Sequence, residues 1–214
     1  NGRKSLFAGG SFLTAGGVSA PRVARWNGVE WSAVGGGIND NSAASVVSIE
    51  GVSDGPLRGL YAGGEFTLAG PPEIVNIARW DGKTWSALAG SQALDFDSQG
   101  QINALAHHEN STGARLFVGA SWGPDFPFYA QQSMFQWDGA NFEGLGLGMN
   151  VTTPFSDHAV GAIAVDTHGP EPSLLVAGQF DHAWLLPVNS LARWSPAGPY
   201  RDVNLNLAQD ECDI

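Results

Sequence analysis

One phrase occurs four times along the chain, and this repetition restricts the fold more than any other feature of the sequence. An apolar run ending in two small residues begins at Leu6, Leu60, Leu116 and Leu174. A second phrase, such as VARWNG or IARWDG, follows each run and contains Trp26, Trp80, Trp137 or Trp194. Both phrases recur at steps of 54 to 58 residues. Two separate phrases with the same period indicate a repeat protein with four copies of one unit.

Each unit consists of short apolar runs separated by turn residues, a pattern typical of β-strands. We name the predicted strands A to D. Strand A lies at 45–52, 101–108 and 159–165; strand B is the run with the two small residues, strand C precedes the Trp, and strand D follows the next turn. The C–D turns contain Asn27-Gly28, Asp81-Gly82 and Asp138-Gly139. These pairs predict tight hairpins, because both residue types tolerate positive φ.

Four antiparallel strands in a unit of this length are typical of one blade of a β-propeller. We therefore predict an all-β protein, a single β-propeller domain over 1–214 with about four four-stranded antiparallel blades. The blade-like repeats are approximately 1–44, 45–100, 101–158 and 159–214. The first unit has no strand A, and the last has only an acidic segment after strand D. We therefore expect the chain to be part of a larger propeller or open array.

Small and aromatic residues at repeated positions are predicted to hold the blades together. Small residues in strand B let neighbouring sheets approach closely. A Trp before each C–D turn pairs across the hairpin with the aromatic residue after it and fills the outer part of the blade. The residues with these structural roles are Gly9, Gly10, Gly63, Gly64, Trp26, Trp31, Trp80, Trp85, Trp137 and Trp194.

The glycine pair in strand B, followed by an aromatic residue and a Trp, resembles the kelch family of β-propellers, with a shorter spacing between the two aromatic residues. The longer phrase LYAGGEF…NIARWDGKTWSAL is similar to bacterial secreted repeat proteins and to the fungal cortical cell-polarity marker family. The resemblance covers residues 5 to about 205. It implies an extracellular or cell-surface propeller and transfers no catalytic residues.

Charge and composition restrict the partners. Ten Lys and Arg stand against 21 Asp and Glu, so the formal net charge is −11. Because phosphate contacts dominate nucleic-acid affinity, DNA and RNA are not expected partners. The sequence has no apolar run of about 18 residues, which predicts that no segment spans a membrane. Cys212 is the only cysteine, so an internal disulfide is excluded.

The B–C and D–A connections are the predicted binding surface. They are long and differ among the units, whereas the C–D turns are short, and in a propeller both kinds of connection share one face. Exposed aromatic rings beside a carboxylate suit contact with a glycan or a protein surface; the alternative is that the rings pack over the blade edge. The candidate residues are Trp122, Asp125, Phe126, Phe128, Tyr129, His182 and Trp184.

The sequence also contains candidate metal and modification sites. Asp40, Asp95 and Asp97 lie in oxygen-rich loops of the kind that bind calcium, but the complete D-x-D-x-D-G loop is missing, and solvated turn residues are the simpler explanation. No other cofactor is expected. The dispersed histidines, including His107 and His108, do not predict a zinc site. Asn110 and Asn150 begin N-x-S/T motifs and are acceptors only in a eukaryotic secretory source.

Two functions remain open at the level of the sequence. The first is a non-catalytic extracellular or cell-surface module that binds a glycan or protein, or acts as a scaffold, with self-association or added blades as further partners. The alternative is a propeller enzyme acting on polysaccharide, with Asp125, Asp157 and Asp181 sharing the acid and base roles. The recurring Arg25, Arg79 and Arg193 of strand C are predicted to have a structural role, bonding to an adjacent blade.

Overall fold

The computed structural model describes residues 5–38, 44–68, 73–94, 100–110, 113–122, 133–145, 149–150, 158–168, 173–180, 182–183, 186–195 and 198–201. In these residues every strand pairing is antiparallel, and the only helix is one 3-10 turn. The predicted all-β class is therefore confirmed. No helix in these ranges is long and apolar enough to cross a bilayer.

The strands divide among the four repeats in chain order. Repeat 1 contains β1 (Leu6–Gly9), β2 (Thr14–Ala15), β3 (Val18–Ser19), β4 (Val23–Trp26) and β5 (Trp31–Ala33). Repeat 2 contains β6 (Ser45–Val52), β7 (Gly59–Leu68), β8 (Ile74–Trp80), β9 (Trp85–Ser86) and the 3-10 turn Ser91–Leu94. Repeat 3 contains β10 (Gln101–Asn110), β11 (Gly113–Trp122), β12 (Met134–Trp137), β13 (Phe142–Gly144) and β14 (Met149–Asn150). Repeat 4 contains β15 (His158–Asp166), β16 (Ser173–Gln179), β17 (His182–Ala183), β18 (Leu186–Pro187), β19 (Leu191–Ser195) and β20 (Gly198–Arg201).

Each repeat builds its own antiparallel sheet in sequence order. The sheet orders are β1-β4-β5, β6-β7-β8-β9, β10-β11-β12-β13 and β15-β16-β19-β20, and the last two join where β11 pairs with β15. The predicted A strands at 45–52, 101–108 and 159–165 are confirmed by β6, β10 and β15. The B–C register also repeats, since the first Leu of each phrase lies opposite the Trp in all four sheets.

The first small residue of strand B faces the strand A of the next repeat. A Cβ added at Gly9 would lie 2.6 Å from Val46 Cγ1, and one at Gly119 would lie 2.5 Å from Val160 Cγ1. In repeat 2, a Cβ at Gly63 would overlap Ile102 Cγ2. Glycine therefore lets three successive pairs of sheets approach to the same close distance.

Apolar clusters cross each boundary between consecutive repeats. One cluster joins repeats 1 and 2 through Val23, Val34 and Leu60, and a second joins repeats 2 and 3 through Tyr61 and Trp137. The third cluster joins repeats 3 and 4 and contains Phe117, Met134, Val160 and Leu174. The core is thus a series of inter-sheet layers, so each repeat depends on its neighbours for burial.

Hydrogen bonds reinforce the boundary between repeats 2 and 3. The N–H of Leu105 donates to Ser48 Oγ at 3.0 Å, and the N–H of His107 donates to Glu50 Oε1 at 3.2 Å. Burial raises the pKa of Glu50, and the bond from His107 opposes that rise. The indole N–H of Trp137 donates to the carbonyl of Ala89 at 3.0 Å. These bonds fix the position of one sheet along its neighbour.

The C–D hairpins differ from the predicted turn with two positive-φ residues. Four residues separate the paired strand ends, and in the second turn only Gly82 has a positive φ, at 103°. Asp81 instead accepts two bonds at Oδ1, from the N–H groups of Lys83 at 2.7 Å and Thr84 at 2.8 Å. In the other two turns, Oδ1 of Asn27 and Oδ1 of Asp138 each accept bonds from the N–H groups of the residues two and three positions later. In all three turns the Asp or Asn side chain therefore acts as a hydrogen-bond acceptor for the backbone.

These turns predict an acid-sensitive contribution to stability. The backbone bonds hold the pKa of Asp81 and that of Asp138 below the ordinary value. Because the folded pKa lies below the unfolded one, both carboxylates stabilise the fold above pH about 4, and the contribution is lost as pH falls through the folded pKa. Changing both to Asn keeps the acceptor oxygen, as at Asn27. When the free energy of unfolding is measured in urea across that pH range, it should fall less steeply with decreasing pH for the double variant than for the unchanged protein. Equal slopes for the two proteins would contradict this cause.

The recurring arginines of strand C form hydrogen bonds within their own repeats. The prediction that they bond to an adjacent blade is therefore wrong. Arg79 donates to the carbonyl of Arg58 at 2.6 Å, and Arg193 donates to Asp166 Oδ2 at 2.7 Å. Arg25 donates to Ser5 Oγ at 3.0 Å. Each partner lies near the end of strand A or the start of strand B of the same repeat. The arginine therefore links strand C to the A–B end of its own sheet.

Candidate binding face

The B–C and D–A connections meet at one end of the sheets. In the D–A connection of repeat 3, β14 pairs with β17 of the B–C connection of repeat 4. Ile38, in the first D–A connection, donates its N–H to the carbonyl of Pro21 at 2.9 Å. The side chain of Asn76, near the start of β8, donates to the carbonyl of Gly100 at 2.6 Å and joins that end of strand C to the D–A connection of the same repeat. We call this end the variable face.

The A–B and C–D turns lie at the other end. A Cβ on Gly139, in the C–D turn of repeat 3, would lie 3.1 Å from Leu57 Cδ2, in the A–B turn of repeat 2. A Cβ on Gly55 of that A–B turn would lie 3.1 Å from Glu109 Oε2, at the end of strand A in repeat 3. The short turns are therefore separated from the variable face by the length of the strands.

A left-handed residue lies four positions before the Trp of strand C, at the end of the variable face, and sequence reasoning did not find it. Arg22, Asn76 and Ser190 have φ values of 64°, 59° and 62° and occupy the same position in repeats 1, 2 and 4. The carbonyls of Arg22 and Ser190 accept bonds from the second small residue of strand B. Arg, Asn and Ser share this position, and of these three types only Asn is enriched at positive φ. Only Asn76 therefore gave a sequence signal for this conformation.

Side chains at this position also order the connection itself. Arg22 is 8% exposed and donates from Nη1 to the carbonyl of Ser11 at 2.8 Å. Asn76 is 4% exposed, and its Oδ1 accepts the N–H of Phe66 at 3.0 Å. The entry to strand C is therefore fixed by buried polar contacts, which leave the outer parts of the connections to vary.

Most of the predicted binding and acidic residues fall outside the described residues. They are Asp125, Phe126, Phe128, Tyr129 and Trp184, the calcium candidates Asp40, Asp95 and Asp97, and the carboxylates Asp157 and Asp181. Of the others, Trp122 ends β11, where its backbone pairs with His158, and His182 lies in β17 opposite Asn150 and Pro187. Both residues therefore belong to the variable face.

The position of Trp122 is a core position in two other repeats. Its counterparts are Phe66 in repeat 2 and Phe180 in repeat 4, which are 2% and 3% exposed. Both belong to the apolar clusters between the sheets. A substitution of Trp122 therefore tests packing as well as binding, and other residues are better probes of the face.

An exposed apolar hairpin on repeat 1 extends the candidate face. Strands β2 and β3 pair through Thr14 and Ser19, within the first B–C connection. Leu13 and Val18 of this hairpin are 58% and 43% exposed. These two side chains give the ordered hairpin apolar surface that is available for a contact. Sequence reasoning treated this connection only as a variable loop.

The shifted titratable groups in the described ranges lie away from this hairpin. Burial is the main cause of the lowered pKa of His107 and of the raised pKa of Tyr61. At the A–B end of repeat 4, two bonds from His168 lower the pKa of Asp166, and Arg193 adds to this effect. Within those ranges, no group of three or more His, Cys, Asp or Glu residues is placed to hold a metal ion.

Comparison of the sequence with protein-family models and curated proteins, and of the structure with solved structures, gives no match.

Proposed function

We propose that the chain is a non-catalytic, extracellular or cell-surface β-propeller module whose variable face binds a protein or glycan surface. The observation that carries the proposal is the contrast between the two parts of each repeat. The B and C strands keep one register in all four repeats, and the first small residue of strand B makes the same inter-sheet contact in repeats 1 to 3, whereas the B–C and D–A connections differ in sequence. A rigid frame with divergent loops at one end is typical of repeat proteins that bind.

The propeller arrangement is supported by a surface that continues the repeated interface. Leu6 is 61% exposed, whereas its counterparts Leu60, Leu116 and Leu174 are 5%, 0% and 2% exposed. Each counterpart belongs to a cluster shared with the preceding repeat. Leu6 therefore lies on the surface that carries the repeated interface, with no described sheet packed against it.

The apolar hairpin defines the chemistry of the proposed contact. Leu13 and Val18 offer apolar surface in a strongly acidic protein, and the loop 123–132 adds Phe126, Phe128 and Tyr129 in sequence beside Asp125. Aliphatic and aromatic groups on one face can pack against sugar rings or apolar side chains of a protein. The same composition is a poor match to a polyanion.

The test compares variants on the two ends of the sheets. Leu13→Asp and Val18→Asp change the variable face, and Val29→Asp changes a C–D turn residue that is 71% exposed at the other end. Each protein is applied to a glycan array and to immobilised cell-surface protein. We expect the two variable-face variants to lose at least about tenfold in affinity for any retained ligand, with Val29→Asp unchanged. Loss only with Val29→Asp, or no ligand on either surface, would reject the proposal.

A further inference from the structure

We propose that Asn27 is a site of spontaneous modification, at which the side-chain amide becomes a carboxylate in the folded chain after attack by the backbone nitrogen of Gly28. The site lies in the C–D turn of repeat 1, at the end of the sheets opposite the variable face. The inference goes beyond the proposed function and does not depend on it, because the reaction needs water and no partner or cofactor.

The nucleophile is the backbone nitrogen of Gly28. Gly28 is exposed, and apart from the adjacent residues no heavy atom lies within 4 Å of a Cβ added there. Among the residues that the structure describes, its N–H has no hydrogen-bond acceptor. The nitrogen is therefore neither covered by a side chain nor used in the strand ladder. Because it follows Asn27 directly in the chain, the attack is intramolecular and brings no second molecule into position.

The electrophile is Cγ of Asn27, and the oxygen bonded to it is held by two donors. Oδ1 of Asn27 accepts the N–H of Val29 at 2.8 Å and the N–H of Glu30 at 3.0 Å. When the Gly28 nitrogen adds to Cγ, this oxygen takes up negative charge. Backbone N–H groups that already lie at hydrogen-bond distance stabilise such an oxyanion. The turn therefore lowers the barrier to the addition, because it supplies these donors before the reaction begins.

The reaction proceeds through a cyclic imide. The Gly28 nitrogen loses its proton to hydroxide and bonds to Cγ of Asn27, and the bond between Cγ and Nδ2 breaks as Nδ2 takes a proton from water and leaves as ammonia. Water then adds to a carbonyl of the imide and reopens it. Opening at Cγ gives aspartate, and opening at the backbone carbonyl gives isoaspartate. The net change is amide plus water to acid plus ammonia, without oxidation or reduction.

The aspartate product matches the turns of the next two repeats. Asp81 and Asp138 occupy the position of Asn27, each precedes a glycine, and each accepts the same pair of backbone bonds. Those bonds hold the pKa of both carboxyls below the ordinary value. A carboxylate at position 27 therefore fits the turn. The isoaspartate product does not, because the acceptor carbonyl becomes part of the backbone.

The combination of features at Asn27 distinguishes it from Asn141, which serves as the internal control. Asn141 is also an exposed residue of a C–D turn, but Phe142 follows it and pairs with Trp137 in the strand ladder. In the sequence, the only other asparagine before a glycine is Asn1, which lies outside the described residues. We therefore expect conversion at Asn27 and not at Asn141.

The experiment follows the conversion by peptide mapping with mass spectrometry, which reads each asparagine separately. The full chain is kept at mildly alkaline pH, either folded or unfolded in guanidinium chloride. Val29→Pro removes one of the two donors; Val29 is 71% exposed and has no positive φ, so the turn can accept proline. Asp81→Asn creates a second site, with Gly82 and the same two kinds of donor. Circular dichroism establishes that each variant remains folded.

We expect Asn27 to convert at least about tenfold faster in the folded chain than in guanidinium chloride, and Val29→Pro to slow the folded chain at least about tenfold without effect on the unfolded one. Asp81→Asn should convert back to aspartate at a rate like that of Asn27, which tests the turn even where Val29→Pro does not fold. Conversion that is equal or slower in the folded chain, a folded rate unchanged by Val29→Pro, or equal conversion at Asn141 would overturn the proposal.

Discussion

Replacing Trp137 with Ala is expected to reduce the free energy of unfolding by about 3–5 kcal/mol, the cost of removing a large buried aromatic side chain. Trp137 is 3% exposed, and its ring centroid lies 6.1 Å from that of Tyr61 in repeat 2 and 6.1 Å from that of Phe142. Its indole N–H also donates to Ala89 across the boundary. The variant therefore loses packing and a hydrogen bond between two sheets at once.

Trp26→Ala is the matched control for this prediction. Trp26 occupies the same position in repeat 1, is half-buried, and has its ring centroid 5.5 Å from that of Trp31 within the same hairpin. Equilibrium unfolding in urea gives both free energies. A smaller loss for Trp26→Ala is expected, because this Trp has no preceding sheet in the described residues to pack against. Equal losses would mean that the hairpin pair, and not the boundary, supplies the stability.

Replacing Gly63 with Val is expected to cost about 3 kcal/mol, at the upper end of the usual penalty for overpacking a core. Gly63 is buried, and a Cβ there would overlap Ile102 Cγ2 and approach Ile102 Cβ to 3.1 Å. Ile102 is 0% exposed and β-branched, so it has little freedom to move aside. The two sheets must separate to admit the new side chain.

Gly51→Ala is the control for backbone effects at Gly63. Both glycines lie in strands of repeat 2 without positive φ, but the added Cβ at Gly51 meets only Leu60 Cδ1 at 3.9 Å. Its free energy of unfolding should therefore stay close to that of the unchanged protein. A large loss at both positions would show that glycine is needed for local backbone reasons and not for sheet contact.

Strand positions were predictable from the sequence because the repeat supplies several independent copies of each signal. The predicted strand A at 45–52 coincides with β6, and the Leu60 to Trp80 register recurs in each sheet. The alternation of apolar residues with turn residues is a local property of the sequence, so it can be recognised without knowledge of the tertiary fold.

Contacts that depend on the assembled sheets were not predictable. The recurrence of Arg79 in strand C predicted a structural role, but it did not reveal that the acceptor is the carbonyl of Arg58 in the same repeat. Arg22 and Ser190 adopt positive φ although neither residue type favours it. Leu57 lies in a turn, where burial is unexpected, and it is covered only because the next sheet arrives there.

The candidate face was also predictable only in part. Its location followed from the lengths of the B–C and D–A connections, and the pairing of β14 with β17 agrees with it. The exposed Leu13 and Val18 were missed because an exposed apolar residue and a buried one look alike in a short loop. The core counterparts of Trp122 became visible only when Phe66 and Phe180 were placed between sheets.

The central claim is that consecutive repeats are joined by close contact at the first small residue of strand B. A double-mutant cycle with Gly63→Ala and Ile102→Ala tests it most directly, and Ile102→Val, which keeps Cγ2, is the control. If the two residues meet as described, the double Ala variant is more stable than the sum of the single losses predicts by about 1 kcal/mol or more, and the Val pair is not. Strict additivity in the Ala cycle would contradict the claim.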